Sequence, residues 1–282
     1  MAYRYCMALV EVNNDQGDRE VGAAFHIGDG YYITARHVAE HEIFNFWPYD
    51  EPEPGLRDAM GLAAIQVKRI LSQPDVDLAL LDTGHVPRLP HYAPGLKRHH
   101  ETEVSIGGHL DDWLDEGMTL FDVVVMGYPP IPQAGRPVLV ATGGHINAVI
   151  DKYGGGHPHF IVSAIPRGGF SGGPVIYQDW LVGVVTESLV RDGAPPELGY
   201  AAALSVEPLW DLLHRHGIYP GSNGDFLRAV YDGDEEASKR LLGPGHVRFS
   251  RRLRIRAPLG LLWIRASAAR LIERMFDRQG DQ

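Results

Sequence analysis

From Ala8 to about residue 205 the chain is a succession of short β-type runs cut by turn residues. The runs Ala8–Val12, Gly22–Ile27, Tyr31–Thr34, Ile65–Ile70, Leu78–Asp82, Val123–Gly127, Val138–Thr142, Phe160–Ala164, Pro174–Ile176 and Leu181–Thr186 have the length and residue types of β-strands. So many short strands favour a barrel or a sandwich. Gly28-Asp29-Gly30 joins two of them and reads as a hairpin, because glycine reaches positive φ without steric cost.

The segment His85 to Glu116 is rich in histidine, proline, glycine and acidic residues and lacks a clear period, so it is expected to be a long loop between two β modules. The division that follows is a β domain over residues 1–216, with one module at about 1–100, a second at about 117–205 and a closing helix at 206–216. Within that helix, Leu209, Leu212 and Leu213 recur at helical spacing over Leu209 to His216. Residues 217–282 form a C-terminal extension of different character. There, Asn223-Gly224-Asp225 opens a helix carrying Phe226, Leu227, Val230 and Tyr231, a turn follows at Gly233-Asp234, and Glu235 to Leu242 is helical again. Arg252, Arg254 and Arg256 alternate with apolar residues as in a strand with a basic face, and Leu259 to Arg278 reads as an amphipathic helix.

With 282 residues, 44% hydrophobic and 22% charged, the chain has the composition of a packed globular protein. The net charge of −10 argues against nucleic-acid binding, which needs a basic face. The average hides an asymmetry. From His246 onward there are nine arginines against three acidic residues, a net +6, which leaves −16 on the rest. Cys6 is the only cysteine, so no intrachain disulfide can form, and a cytoplasmic location is expected. Neither a cleaved signal peptide nor a membrane-spanning helix is expected.

Three motifs carry chemistry. Around Ser171 the chain reads Ile-Pro-Arg-Gly-Gly-Phe-Ser-Gly-Gly-Pro, from Ile165 to Pro174. Glycines on both sides let the backbone turn sharply and approach a substrate, with Gly169 and Ser171 N–H groups available to a developing oxyanion. One such donor contributes roughly 2.7–4 kcal/mol in the transition state. The second motif, Val21-Gly-Ala-Ala-Phe-His-Ile-Gly-Asp-Gly-Tyr-Tyr-Ile-Thr-Ala-Arg-His37-Val38, is a hairpin that ends on a histidine. The third is Pro74-Asp75-Val76-Asp77-Leu78-Ala79-Leu80-Leu81.

The second motif resembles the Gly-x-Gly-Phe…Leu-Thr-Ala-Ala-His signature of trypsin-like serine peptidases, and especially the bacterial single-chain members without disulfides. The third resembles the family's Asp-Leu/Ile-Ala-Leu-Leu strand. The resemblance covers about Leu9 to His216. It implies an all-β fold of two six-stranded chymotrypsin-like barrels, here with a helical or mixed extension. It also implies a serine endopeptidase in which Ser171 is the nucleophile, His37 the general base and Asp77 the residue that orients it, with Gly169 and Ser171 forming the oxyanion hole. Asp77 is preferred to Asp75 and Asp82 because it alone directly precedes Leu-Ala-Leu-Leu. The order His, Asp, Ser is that of chymotrypsin, and differs from those of subtilisin and the α/β-hydrolases.

The chain departs from the family at two places. Phe170 stands where the family has an aspartate before the nucleophile, and no Ile-Val-Gly-Gly start is present, so activation by a newly cut N-terminus is not expected. Arg36 occupies a position that is usually small. The resemblance further implies a substrate pocket at Ile165, Pro166, Thr186, Glu187 and Ser188. With Ile165 at its base, a small or apolar P1 side chain is favoured over strict Arg/Lys selection, although Glu187 could attract a basic group.

No cofactor and no metal are expected. His91, His99, His100, His109, His157 and His159 lack cysteine partners and the His-Glu-x-x-His pattern, and read as solvated loop histidines. The expected partner is a protein or peptide substrate. The basic extension is expected to dock on the acidic body or on a protein partner, with contact to an anionic membrane surface the less favoured alternative. The competing function is a catalytically silent adaptor on a peptidase fold, or an enzyme active only in a complex.

Overall fold

The computed structural model describes residues 2–13, 16–51, 59–60, 65–89, 102–106, 118–150, 157–164, 168–188, 199–221 and 224–232. After a 3-10 turn at Ala2–Cys6, the first six strands are β1 (Met7–Asn13), β2 (Arg19–Gly28), β3 (Tyr31–Thr34), β4 (Glu42–Pro48), β5 (Arg69–Gln73) and β6 (Val76–Asp82). They make one sheet in the order β4-β1-β2-β3-β6-β5, every pair antiparallel.

The second sheet holds β7 (Ser105–Ile106), β8 (Asp122–Gly127), β9 (Val140–Ile150), β10 (His159–Val162), β11 (Pro174–Tyr177), β12 (Trp180–Ser188) and β13 (Ala201–Ser205). Its order is β11-β8-β9-β10-β13-β12-β7, and a further β11–β12 pairing closes six of these strands into a barrel. The two-residue β7 lies outside that ring, parallel to β12. The fold is thus the expected chymotrypsin-like pair of β modules, with one difference. The second module is a closed six-stranded barrel, whereas β4 and β5 of the first do not pair with each other among the described residues.

Side chains alternate between two cores, as the pleat requires. On one face of the first sheet, Ala8, Val10, Ala24, Tyr32, Phe46 and Leu81 pack within that module. On the other, Leu9, Phe25, Ile33 and Leu80 join Val125, Met126, Phe160 and Val184 of the barrel in one shared core. Each such large side chain contributes about 1.5–3 kcal/mol by leaving water, so the shared core fixes the two modules against each other.

The β2–β3 hairpin turns through Asp29 at φ 52° and Gly30 at φ 81°, the paired positive angles of a type I′ loop. Helix α1 (Arg36–Ala39) is a single turn after β3. Helix α2 (Glu207–Arg215) begins two residues before the expected Leu209, with Pro208 in its first turn and Leu209, Trp210, Leu212 and Leu213 buried. Helix α3 (Gly224–Tyr231) stands where the Gly224-Asp225 signal placed a helix. The expected helix at Glu235–Leu242, the strand at Arg252–Ala257 and the helix at Leu259–Arg278 lie outside the described residues. Among the described residues no helix is long and apolar enough to cross a membrane.

Candidate active site

Strand β3 ends at Thr34, and α1 turns immediately to carry His37 outward. Asp77 enters from the start of β6, which pairs with β3 from Tyr31 to Thr34. The carboxylate grips the histidine twice. The His37 Nδ1–H donates to Asp77 Oδ2 at 2.8 Å, and the His37 backbone N–H donates to Asp77 Oδ1 at 2.9 Å. Burial pushes the Asp77 carboxyl up, but the two hydrogen bonds from His37, its charge and that of Arg36 outweigh burial and hold it below the usual 3.8. An ionised Asp77 fixes the proton on Nδ1 and leaves Nε2 as the basic nitrogen.

The Ser171 loop approaches from the barrel. Its backbone is tied at several points: the Ala23 N–H donates to Ser171 O at 2.8 Å, Tyr128 N–H to Gly169 O at 2.8 Å, and Gly172 N–H to Val185 O at 2.8 Å. Gly172, at φ 81°, sits so close to the first module that a Cβ there would overlap the Ala23 carbonyl oxygen and the Thr34 hydroxyl, and would lie 2.8 Å from the Ala35 nitrogen. Ser171, half-buried, is therefore held against the strand end that leads into His37. Gly169, at φ 92°, packs on the Tyr128 carbonyl with the same intolerance of a side chain. Its N–H and that of Ser171 donate to no backbone acceptor among the described residues.

Phe170 is buried in the shared core, which anchors this loop by an apolar contact where the family has a charge. Arg36 turns to Glu40, at 2.7 Å between Nη1 and Oε1. Asp75 is exposed in the turn before β6, and Asp82 closes β6 at its far end. Of the expected pocket, Thr186 is buried with its hydroxyl donating to Ala202 O at 3.4 Å, and Glu187 and Ser188 pair through β12 with Ala202 and Ala201. Ile165 and Pro166 lie outside the described residues, as do His91, His99, His100 and His109.

Sequence reasoning passed over Thr34, whose hydroxyl donates to Ala23 O at 2.8 Å and helps shape the seat of Gly172. It also passed over a group that unites metal-ligating residue types: Asp50, Glu51 and His85. There His85 Nε2–H donates to Asp50 Oδ1 at 2.9 Å, Arg88 N–H donates to Asp50 Oδ2 at 2.8 Å, and His85 Nδ1 stands 3.7 Å from Glu51 Oε1. Both Asp50 oxygens already have donors, so the group acts as a clip between the ends of β4 and β6.

The family model described as trypsin-like peptidase domain matches residues 22–184, more than half of the chain. The chain belongs to the trypsin-like peptidase family. As a trypsin-like peptidase it is a serine endopeptidase by class. No curated protein matches this peptidase at the sequence level. Its fold is similar to that of the Rv3671c protease from M. tuberculosis in its active form, at 20% identity and TM-score 0.51, over 79% of this chain and 85% of that one. It is likewise similar to HL collagenase, at 20% identity and TM-score 0.52, over 77% and 94% of the two chains. The HtrA-type protease AlgW with tripeptide aligns at 19% identity and TM-score 0.50, over 77% of this peptidase and 62% of that chain. At such identities these structures speak to the fold alone.

Proposed function

We propose that this peptidase cleaves peptide bonds through a His37–Asp77–Ser171 triad and an acyl-enzyme. The observation that carries the proposal is the double grip of Asp77 on His37, at 2.8 and 2.9 Å, beside the seat of the Ser171 loop. In the first step Ser171 Oγ attacks the carbonyl carbon as its proton passes to His37 Nε2. The tetrahedral oxyanion is held by the N–H groups of Gly169 and Ser171. Collapse expels the amine, which takes the proton back from His37, and leaves the acyl group on Ser171 Oγ. Water, deprotonated by His37, then attacks the ester and frees the acid and the serine.

Asp77 remains ionised throughout and stabilises the imidazolium formed in each half-reaction. The substrate is a peptide or protein, and a small or apolar P1 residue fits the absence of an acidic residue at position 165. The basic C-terminal extension supplies regulation or localisation by docking on the acidic body or on a partner.

The test is labelling of the full chain by a fluorophosphonate probe. Labelling at Ser171, lost together with casein cleavage in Ser171→Ala, is the expected result. Labelling that persists at another residue would remove Ser171 from its role. Absence of labelling under all conditions would favour the silent adaptor.

A further inference from the structure

His26 is the one histidine among the described residues that is buried to 1% exposure, and it lies outside the candidate active site. It sits on β2 one turn of hairpin before Asp29-Gly30. Its two ring nitrogens have different partners. Nδ1 is 2.6 Å from the Thr102 carbonyl oxygen, and the Gly30 N–H donates to Nε2 at 3.0 Å. A carbonyl can only accept and an N–H can only donate, so the ring is neutral with its proton on Nδ1. A second proton has to go on Nε2, where it would face the Gly30 N–H, donor against donor.

Two segments bond to this ring, and a third bonds to the hairpin tip beside it. The first is the hairpin tip, whose Gly30 carbonyl accepts from Thr83 Oγ1 at 2.9 Å and Thr83 N–H at 3.1 Å, so Gly30 is held from both sides. The second is the connector between the two sheets, tied by the Thr102 bond and by Val104 N–H donating to His26 O at 2.9 Å. The third is the root of the C-terminal extension. Gly221 N–H donates to Asp29 Oδ2 at 3.2 Å, and Gly28, at φ 121°, lies so close to Pro220 and Gly221 that a Cβ would overlap the Gly221 backbone.

We propose that His26 is a proton-operated latch: neutral, it ties the hairpin tip to the connector and holds the seat of Gly221; protonated, it releases Gly30 and loosens all three segments. The groups that face it are accounted for. Burial lowers its proton affinity most, and His85 adds to that, while the Thr102 carbonyl, Glu103 and Asp29 oppose it; the net direction is down from 6.5. The Tyr32 ring, 5.0 Å away between centroids, covers one side without charge. The folded state therefore refuses the proton that the unfolded or locally opened state accepts, and the opening equilibrium rises as pH falls below 6.5. The rise is at most roughly tenfold per pH unit for one proton, and it stops at the folded pKa.

The latch is independent of the chemistry at Ser171, and its test does not read activity. Amide hydrogen exchange of the full chain, corrected for intrinsic rates, is compared at pH 7.5 and 5.5. The amides of Gly30, Val104 and Gly221 are expected to lose protection together at the lower pH. In His26→Gln, whose amide offers a donor and an acceptor but does not titrate, the same residues are expected to show no pH dependence. Unchanged protection in the wild type, or an equal loss in the glutamine variant, would overturn the latch. Should the variant fail to fold, the ring titration of wild-type His26 by NMR decides: an Nδ1–H tautomer that protonates below 6.5 supports the latch, and ordinary titration at or above 6.5 overturns it.

Discussion

At the scale of single residues, the two-point contact between Asp77 and His37 separates charge from hydrogen bonding. One carboxylate oxygen takes the backbone N–H and the other takes Nδ1–H. In Asp77→Asn the amide oxygen would keep the backbone N–H, which turns its NH2 group toward Nδ1. That nitrogen must then accept, its proton moves to Nε2, and His37 can no longer act as the base proposed for Ser171. The expected result is an enzyme that still folds, gives up at neutral pH the stability that the ionised carboxylate contributes, and loses about 10⁴-fold in kcat, with KM little changed. Steady-state kinetics on a peptide ester beside a thermal melt would check it. Retention of most activity would show that Asp77 is not the orienting residue. In the sequence Asp77 stands out by resemblance, as the aspartate directly before Leu78-Ala79-Leu80-Leu81, a run that lies buried in β6. The sequence could not show the backbone bond, which depends on α1 starting at Arg36.

At the scale of elements, the glycine-rich loop behaves as one unit whose glycines are not equivalent. Gly169 and Gly172 have positive φ and no room for a side chain, whereas a Cβ on Gly168 meets nothing within 4 Å. Gly172→Ala therefore incurs a left-handed penalty of about 1–2 kcal/mol and must also push the loop off Ala23 and Thr34. Gly168→Ala should fall within about 0.5 kcal/mol of wild type, as open surface substitutions do. Fluorophosphonate labelling rates and urea melts of the two variants make the comparison, and equal behaviour would refute the seat described for Gly172. Strand legibility followed burial in the same way. β6 and β12 were plain from their apolar runs. β4 was missed because only Phe46 and Pro48 of its described side chains are buried, which blurs any alternation. β13 was missed for the opposite reason: Ala201, Ala202 and Ala203 are all buried, yet alanine has little intrinsic strand preference. β5 was expected at Ile65–Ile70 and lies at Arg69–Gln73, an exposed edge with little to fix its ends.

At the scale of the whole molecule, one core runs through both modules, from Leu9 and Leu80 to Met126 and Val184, so the described β body should unfold in one transition. The two modules were legible from the aperiodic segment His85 to Glu116 and from the resemblance to a two-barrel family. Their cooperation was not, because it depends on which face of β1, β2 and β6 turns toward the barrel. A single transition makes the pH dependence of stability readable as proton uptake. Two groups with depressed folded pKa values act in separate windows. Below 6.5 the unfolded chain protonates His26 before the folded one does, so stability declines with falling pH until the folded His26 value is reached. Asp77 contributes stability above the usual carboxylate value of 3.8, and that contribution is lost as pH falls through its lower folded value. Urea unfolding measured from pH 8 to pH 3 should therefore fall in two steps. His26→Gln should flatten the upper step and leave the lower one, and Asp77→Asn should weaken the lower step and leave the upper. A single step removed by neither variant would place the titrating groups elsewhere in the fold. Loss of the upper step in both variants would mean that the hairpin and the His37–Asp77 pair open as one unit.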